Sequence, residues 1–254
     1  MAIEDGAFPQ AYAALDAWEK AATVSANAWV RAYPFTSRLD LDLELGELEA
    51  ARHTARAFIA ASQTWLPEDT WDMPTERSRA LYFTAQIGRD EFRRLQARDA
   101  EGIAARGGFY APAGVRWIES YALSIRDVED ARFALSKLPD ERPLLDAAFR
   151  DFFVDAEIGR IHLYAGRLDR ALEWLHRAAN SCLYVRALHS VQAHAWYGHA
   201  LAKNGQRLEA CHEYAYVLQR WGREPRSRSA NAAREGALRL GCAEVSPRSI
   251  GTTK

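Results

Sequence analysis

Two stretches decide the fold: GRIHLYAGRLDRALEWLHRAA, residues 159–179, and GHALAKNGQRLEACHEYAYVL, residues 198–218. Each holds an amphipathic segment, an internal glycine and a second amphipathic segment, and the second stretch begins 39 residues after the first. In the later one Ala210, Tyr214 and Val217 fall at i, i+4 and i+7, one face of a helix. Gly166 and Gly205 stand where a left-handed helix end wants a residue without Cβ. In register, Gly159, Gly166, Ala171, Leu175 and Ala178 match Gly198, Gly205, Ala210, Tyr214 and Val217. One period earlier the same positions hold Glu119, Arg126, Ala131, Leu135 and Leu138, and Gly88 and Gly46 mark two more turns. The turn markers 46, 88, 126, 166 and 205 are nearly evenly spaced.

Strand signals are weak: there is no sustained alternation and no Asn-Gly or Asp-Gly hairpin between β-branched runs. Ala, Leu, Glu and Arg dominate, with apolar residues at three- and four-residue steps. A helical hairpin cannot bury its apolar stripe alone, so hairpins must stack, with small residues allowing close approach and Leu, Tyr or Trp filling the gaps. The expected fold is all-α: a right-handed α-solenoid of about five hairpins with a period near 40 residues, occupying 1–242. The hairpins are expected around 38–62, 76–104, 113–138, 144–180 and 187–220. A first helix over 10–33 is expected to stop at Pro34, and a capping helix over 227–240 to start at Ser227 or Ser229 and stop at Gly241. The tail 243–254 is expected to be disordered.

The pattern Gly-x6-Gly-x4-Ala-x3-Leu/Tyr resembles the tetratricopeptide (TPR) repeat. It departs from that family in its longer period and in having Asp155 and His194 where an aromatic stands early in the first helix. A second resemblance covers more of the chain. LDLELGELEAARHTARAF, AEIGRIHLYAGRLDRALEWLHRAANSC, ACHEYAYVLQRWG and RSRSANAAREGALRLGC resemble the C-terminal helical region of large bacterial serine/threonine protein kinases. The kinase signatures G-x-G-x-x-G, His-Arg-Asp and Asp-Phe-Gly do not occur in the sequence. The resemblance therefore implies a kinase-associated interaction module rather than a kinase, working in the cytoplasm.

Composition adds limits. With 254 residues, 48% hydrophobic and 26% charged, the chain has an ordinary globular make-up and length enough to bury a core. Its apolar runs are too short to span a bilayer, and MAIEDGAFPQ lacks the basic-then-apolar pattern of a signal peptide. The net charge of −1 gives no global reason to bind nucleic acid or membrane. Charge is uneven, however: residues 1–50 hold 3 basic and 9 acidic side chains, residues 201–254 hold 10 basic and 5 acidic. The basic end reads as a solvated helix surface or as a face for an anionic partner. Three cysteines, Cys182, Cys211 and Cys242, argue by their odd number against a disulfide framework and for small buried side chains in a reducing compartment.

No reaction is legible. His189, His194 and His199 stand at five-residue steps, so their rings diverge by about 140° on a helix rather than converging on a metal. His162 and His194 read as packing residues, and no cofactor motif or Gly-x-Ser-x-Gly elbow is present. Asp40, Asp42 and Glu44, at two-residue steps, read as a solvated face. The TPR register instead turns Arg116, Ser120, Ser124, Arg160, Leu163, Tyr164, Gln192, His199 and Lys203 toward one concave groove, a basic column with no acid. Arg116, Ser120, Arg160, Tyr164, Gln192, His199 and Lys203 are the candidate binding residues, and the expected partner is an acidic or phosphorylated protein segment. A competing expectation is a ligand sensor whose aromatic pocket uses Trp65, Trp71, Phe109 and Tyr110 in the loops 63–77 and 104–114. A weaker one is an enzyme whose scattered site the sequence does not expose.

Overall fold

The computed structural model describes residues 2–65, 73–107, 115, 125–137, 153–181 and 187–242. Among the described residues there are eleven α-helices and no strand. The helices are α1 (Phe8–Ala22), α2 (Ala28–Glu44), α3 (Leu48–Ser62), α4 (Met73–Phe83), α5 (Arg89–Arg106), α6 (Val128–Lys137), α7 (Phe153–Tyr164), α8 (Leu168–Ala179), α9 (Ala187–Lys203), α10 (Arg207–Trp221) and α11 (Arg228–Leu240). None is long and apolar enough to cross a membrane. The stretch 138–152 and the tail from 243 lie outside the described residues, as do the expectations placed on them.

One turn chemistry recurs. At Gly46, Gly166, Gly205 and Gly241 the backbone is left-handed, with φ of 73°, 78°, 77° and 59°. Each time the residue after the glycine donates its N–H back across the helix end: Glu47 to the Asp42 carbonyl, Arg167 to His162, Gln206 to Leu201 and Cys242 to Ala237, all at 2.8–3.0 Å. This closure satisfies carbonyls that a helix end leaves without a partner. The α4–α5 turn has the same pair of bonds, Ala85 to Tyr82 and Gln86 to Leu81. There the left-handed residue is Ala85, φ 55°, whereas Gly88 has φ −81° and precedes α5. The marker placed at 88 is corrected to 85, and Gly46–Ala85 then spans the same 39 residues as Gly166–Gly205.

Close approach explains Gly159, Gly198 and Gly236. A Cβ on Gly159 would lie 2.5 Å from Leu175, one on Gly198 2.9 Å from the Tyr214 ring, and one on Gly236 2.4 Å from that ring. Tyr214 thus fills the space that two glycines on α9 and α11 leave open.

The N-terminal reading is corrected. The chain does not form one helix over 10–33: α1 ends at Ala22, and α2 begins after Asn27, whose side-chain oxygen accepts from the N–H groups of Trp29 and Val30. Pro34 lies inside α2 and does not stop it. A proline within a helix costs about 3 kcal/mol. Leu39, Leu41 and Leu45 are buried beyond it, at roughly 1.5–3 kcal/mol each, so burial outweighs the break.

Asp40, Asp42 and Glu44 form no solvated face. They are 8%, 2% and 4% exposed. Their two-residue steps do send them apart, but each points into protein. Asp42 accepts from Tyr12 Oη at 2.6 Å and Thr54 Oγ1 at 3.0 Å, tying α1 and α3 to α2. Burial raises its pKa, against the lowering effect of those hydrogen bonds. Asp40 meets Arg79 of α4 at 2.8 Å. Glu44 accepts from Ser227 Oγ (2.7 Å), the Ser229 N–H (2.8 Å), Ser229 Oγ (2.9 Å) and Gln192 Nε2 (2.8 Å).

Those Glu44 bonds bring the two ends of the chain together. Phe8, Ala11, Leu15, Leu41 and Leu45 share one core with Leu188, Val191, Tyr214, Val217 and Trp221. Trp221 Nε1 donates to the Ile3 carbonyl at 2.8 Å, and Phe8 packs edge-on against its ring. A second core joins α4, α5, α6 and α7 through Tyr82, Phe92, Ile125, Ala131 and Ile161, with the Tyr82 hydroxyl donating to Asp130. Neighbour packs on neighbour, and α10 and α11 return to α1 and α2.

The two cysteines at the last helix pair are also corrected. Cys211 of α10 and Cys242, just past α11, form a disulfide with Cα atoms 5.6 Å apart. An odd count permits one pair with a residue left over, so parity does not exclude the bond. Cys182 lies outside the described residues.

Both the turns and the closure can be tested by substitution. Left-handed backbone costs a residue with a Cβ about 1–2 kcal/mol. Ala85→Gly should therefore raise the melting temperature, while Gly205→Ala, whose Cβ would meet nothing within 4 Å, should lower stability by about 1 kcal/mol through strain alone. Thermal melts of both variants check the signs. Glu44→Gln should cost about 2–3 kcal/mol, because an amide turns donors toward groups that already donate. Urea titration measures it, and a loss below 0.5 kcal/mol, on the scale of about one weak surface contact, would show the closure to be incidental.

Candidate functional site

The helices enclose a cleft of about 750 Å³, lined from α2, α3, α4, α7, α9, α10 and α11 together with the α4–α5 turn and residues 125–126. The size lies within the range of small-molecule and short-segment sites. Its described wall is assembled from parts of the chain as distant as Asp40 and Ala232.

Five of the seven candidate residues line it: Arg160 and Tyr164 from α7, and Gln192, His199 and Lys203 from α9. Leu163 lines it as well. Arg116, Ser120 and Ser124 lie outside the described residues. The reason for the convergence is helical: Arg160, Leu163 and Tyr164 share one face, as do Gln192, His199 and Lys203 at steps of seven and four.

The charge of the site differs from expectation. The groove is not free of acids, since Asp40, Glu44 and Glu157 line it. They come from α2 and α7, and the two-residue steps of the α2 acids suggest a solvated face because local spacing does not show the helices that cover them. Five permanent cations, Arg79, Arg126, Arg160, Lys203 and Arg228, face those three carboxylates. Burial opposes the charge of Arg79, but the carboxylates of Asp40, Glu76 and Glu157 outweigh it and hold the guanidinium above its ordinary pKa. Arg79 is therefore a structural cation at the floor, bonded to Asp40 at 2.8 Å and to Glu76 at 3.2 Å. Glu44 is taken up by its four donors.

Arg160 is held by its neighbours. It donates to the Ile125 carbonyl at 2.5 Å, stands 3.7 Å from Glu157, and lies over the rings of Trp196 (4.9 Å) and Tyr164 (5.7 Å). Cation–π contact draws the guanidinium against the ring faces. Gln192 is spent on Glu44. His199 does not add to the basic column: burial first, then Lys203 and Arg239, push its pKa down, so the imidazole is neutral at pH 7.

The exposed cations are different. Arg126, Lys203 and Arg228 line the cleft and are exposed, and among the described residues none forms an ion pair with a carboxylate. Arg126 donates to the Tyr82 carbonyl and covers its ring, which leaves its charge unneutralised. Arg126 and Arg228 are not among the residues that the sequence pattern points to. In the sequence Arg126 is a turn marker and Arg228 part of a capping helix, and nothing local in either segment signals that α11 swings back to the centre.

The remaining candidates resolve as packing. His194 bonds Glu213 at 2.5 Å and stacks on Tyr216, and it does not line the cleft that His189 and His199 line. His162 is buried, and burial, then Arg167 and Arg170, lower its pKa to about 4. Among the described residues no group of three or more His, Cys, Asp or Glu side chains could hold a metal ion. Trp65 packs on Phe58 and under Arg31, which fits gap-filling. Trp71, Phe109 and Tyr110, the rest of the aromatic-pocket expectation, lie outside the described residues.

Comparison with protein-family models, with curated proteins and with solved structures finds no match to this chain.

Proposed function

We propose that the protein is a non-catalytic binding module built as a TPR-like helical repeat, and that its cleft takes an anionic segment of a partner protein, acidic or phosphorylated. The repeated left-handed helix closures, the two 39-residue steps Gly46–Ala85 and Gly166–Gly205, and the packing of Leu175 and Tyr214 against Gly159 and Gly198 support the repeat reading. The single observation that carries the binding reading is the trio Arg126, Lys203 and Arg228: exposed cations around one concavity, with no carboxylate pairing among the described residues. A concave wall of low dielectric focuses such a field, and arginine suits carboxylate and phosphate oxygens. The place of the protein beside a bacterial serine/threonine kinase, in the cytoplasm, rests on the sequence resemblance alone.

A second reading has its own observation. Leu43, Phe83, Leu163 and Trp196 give the cleft an apolar side, and with its volume this suits a small anionic ligand and a sensor role. Both readings use the cations; only the sensor also needs the apolar side to enclose its ligand.

The test is fluorescence anisotropy with acidic, phosphoserine-containing and lysine-rich peptides of equal length. The wild type should bind the anionic peptides and not the basic one, with affinity falling as salt rises. Lys203→Glu combined with Arg228→Glu should weaken binding by about tenfold to a hundredfold without changing the melt, since both side chains are exposed. Equal binding of acidic and basic peptides, or an unaffected double variant, would sink the reading. Stabilisation by small aromatic anions with no peptide binding would favour the sensor.

A further inference from the structure

The last helix meets the core through small side chains and is fixed at both ends by polar and covalent bonds. Toward the core α11 presents Ala230, Ala233 and Gly236, with Ala237 and Leu240 half-buried beside them. Side chains this small remove little apolar area from water, and stabilisation scales with that area. At its start, Ser227 caps the helix and Glu44 binds Ser227 and Ser229. At its finish, Arg207 donates to the Gly241 carbonyl at 2.9 Å, and the next residue, Cys242, is bonded to Cys211. Both cysteines are half-buried rather than sealed in the core. The same helix supplies Arg228, Ser229 and Ala232 to the cleft.

We propose that the Cys211–Cys242 disulfide is a redox-modifiable site that takes a dithiol reductant, and that reducing it loosens the cleft wall built by α11. A thiolate of the reductant attacks Sγ of Cys242, which stands beyond the helix end. The S–S bond breaks, a mixed disulfide forms, and Cys211 leaves as the thiolate. The second reductant thiol then attacks its own sulfur in the mixed disulfide and expels Cys242. The protein gains two electrons, its two cysteines take up the two thiol protons of the reductant, and the reductant ends as its own disulfide. Arg207, one turn before Cys211 on the same helix face, favours that leaving thiolate. Opening the bond frees a loop closed across a sequence separation of 31 and removes one of the fixings at the far end of α11. The consequence for binding rests on the cleft reading given above; the release of α11 does not.

Hydrogen exchange of the full chain, with dithiothreitol as the reductant and glutathione disulfide as the oxidant, tests both parts. On reduction, amides of residues 230–241 should exchange about tenfold faster or more, while those of α8 stay unchanged. Cys211→Ser/Cys242→Ser should behave like the reduced protein, and Cys182→Ser should keep the switch. Unchanged exchange after thiol labelling has shown complete reduction would overturn the proposal, as would a protein that retains free Cys211 and Cys242 under oxidant. Anisotropy then separates the two claims. If the oxidised protein binds anionic peptide and the reduced one binds it several-fold more weakly, the wall is coupled to the bond. If both states bind alike, the coupling is refuted. If the oxidised protein binds no anionic peptide, the cleft reading fails, and the exchange result alone decides whether α11 is released.

Discussion

The Glu44 carboxylate, seated under the first turn of α11, is the constraint on which the rest depends. It ends one helix, starts another 185 residues away, and holds Gln192 of α9 in the same bonds. A carboxylate at a helix N-terminus is favoured by the amide dipoles as well as by its direct hydrogen bonds. Because four donors surround it, the charge is tolerated at a depth where an unmatched one would be costly. With that contact made, the acidic beginning of the chain and its basic end face one another, and Arg226 meets Glu47 at the surface. The uneven charge along the sequence is thus answered partly within the molecule. The exposed Arg226 pair adds little, whereas the buried Glu44 set fixes the geometry.

The cleft is a product of that closure. In a row of hairpins, the inner helix faces form a trough whose charges lie in one register. Here α2 and α11 come together across it, so the buried Asp40 and Arg79, with the half-buried Glu157, form an ionic floor while Arg126, Lys203 and Arg228 stay in water. Charges at the floor have already found partners and serve shape. Those in water have no carboxylate beside them among the described residues, although Arg126 donates to the Tyr82 carbonyl.

Much of the architecture is legible because helices write their packing locally. Gly166, Gly205 and Gly241 mark left-handed closures, Ser227 caps α11, and Gly159 and Gly198 announce the bulky Leu175 and Tyr214 opposite them. The same local logic brings Arg160, Tyr164, Gln192, His199 and Lys203 to one cavity. The features that local pattern misses are tertiary. Ala85 occupies a conformation its type disfavours, so the eye goes to Gly88 three residues on. Pro34 is overridden by leucines whose burial is settled by distant helices, although Asn27 offers a readable cap. Asp40, Asp42 and Glu44 look solvated because their partners, Arg79, Tyr12, Thr54 and Ser229, lie far along the chain. The Cys211–Cys242 bond is hidden for the same reason: parity counts residues but does not see which two helix ends meet.

A linear helical repeat can lengthen or shorten by gaining or losing a unit, since each unit touches only its neighbours. This chain has given up that freedom. An added hairpin would carry Glu44 away from Ser227 and Ser229 and pull Ile3 and Phe8 off Trp221, so a duplication would not extend the molecule but break it open. The meeting of the ends thereby limits where a helical hairpin could be inserted.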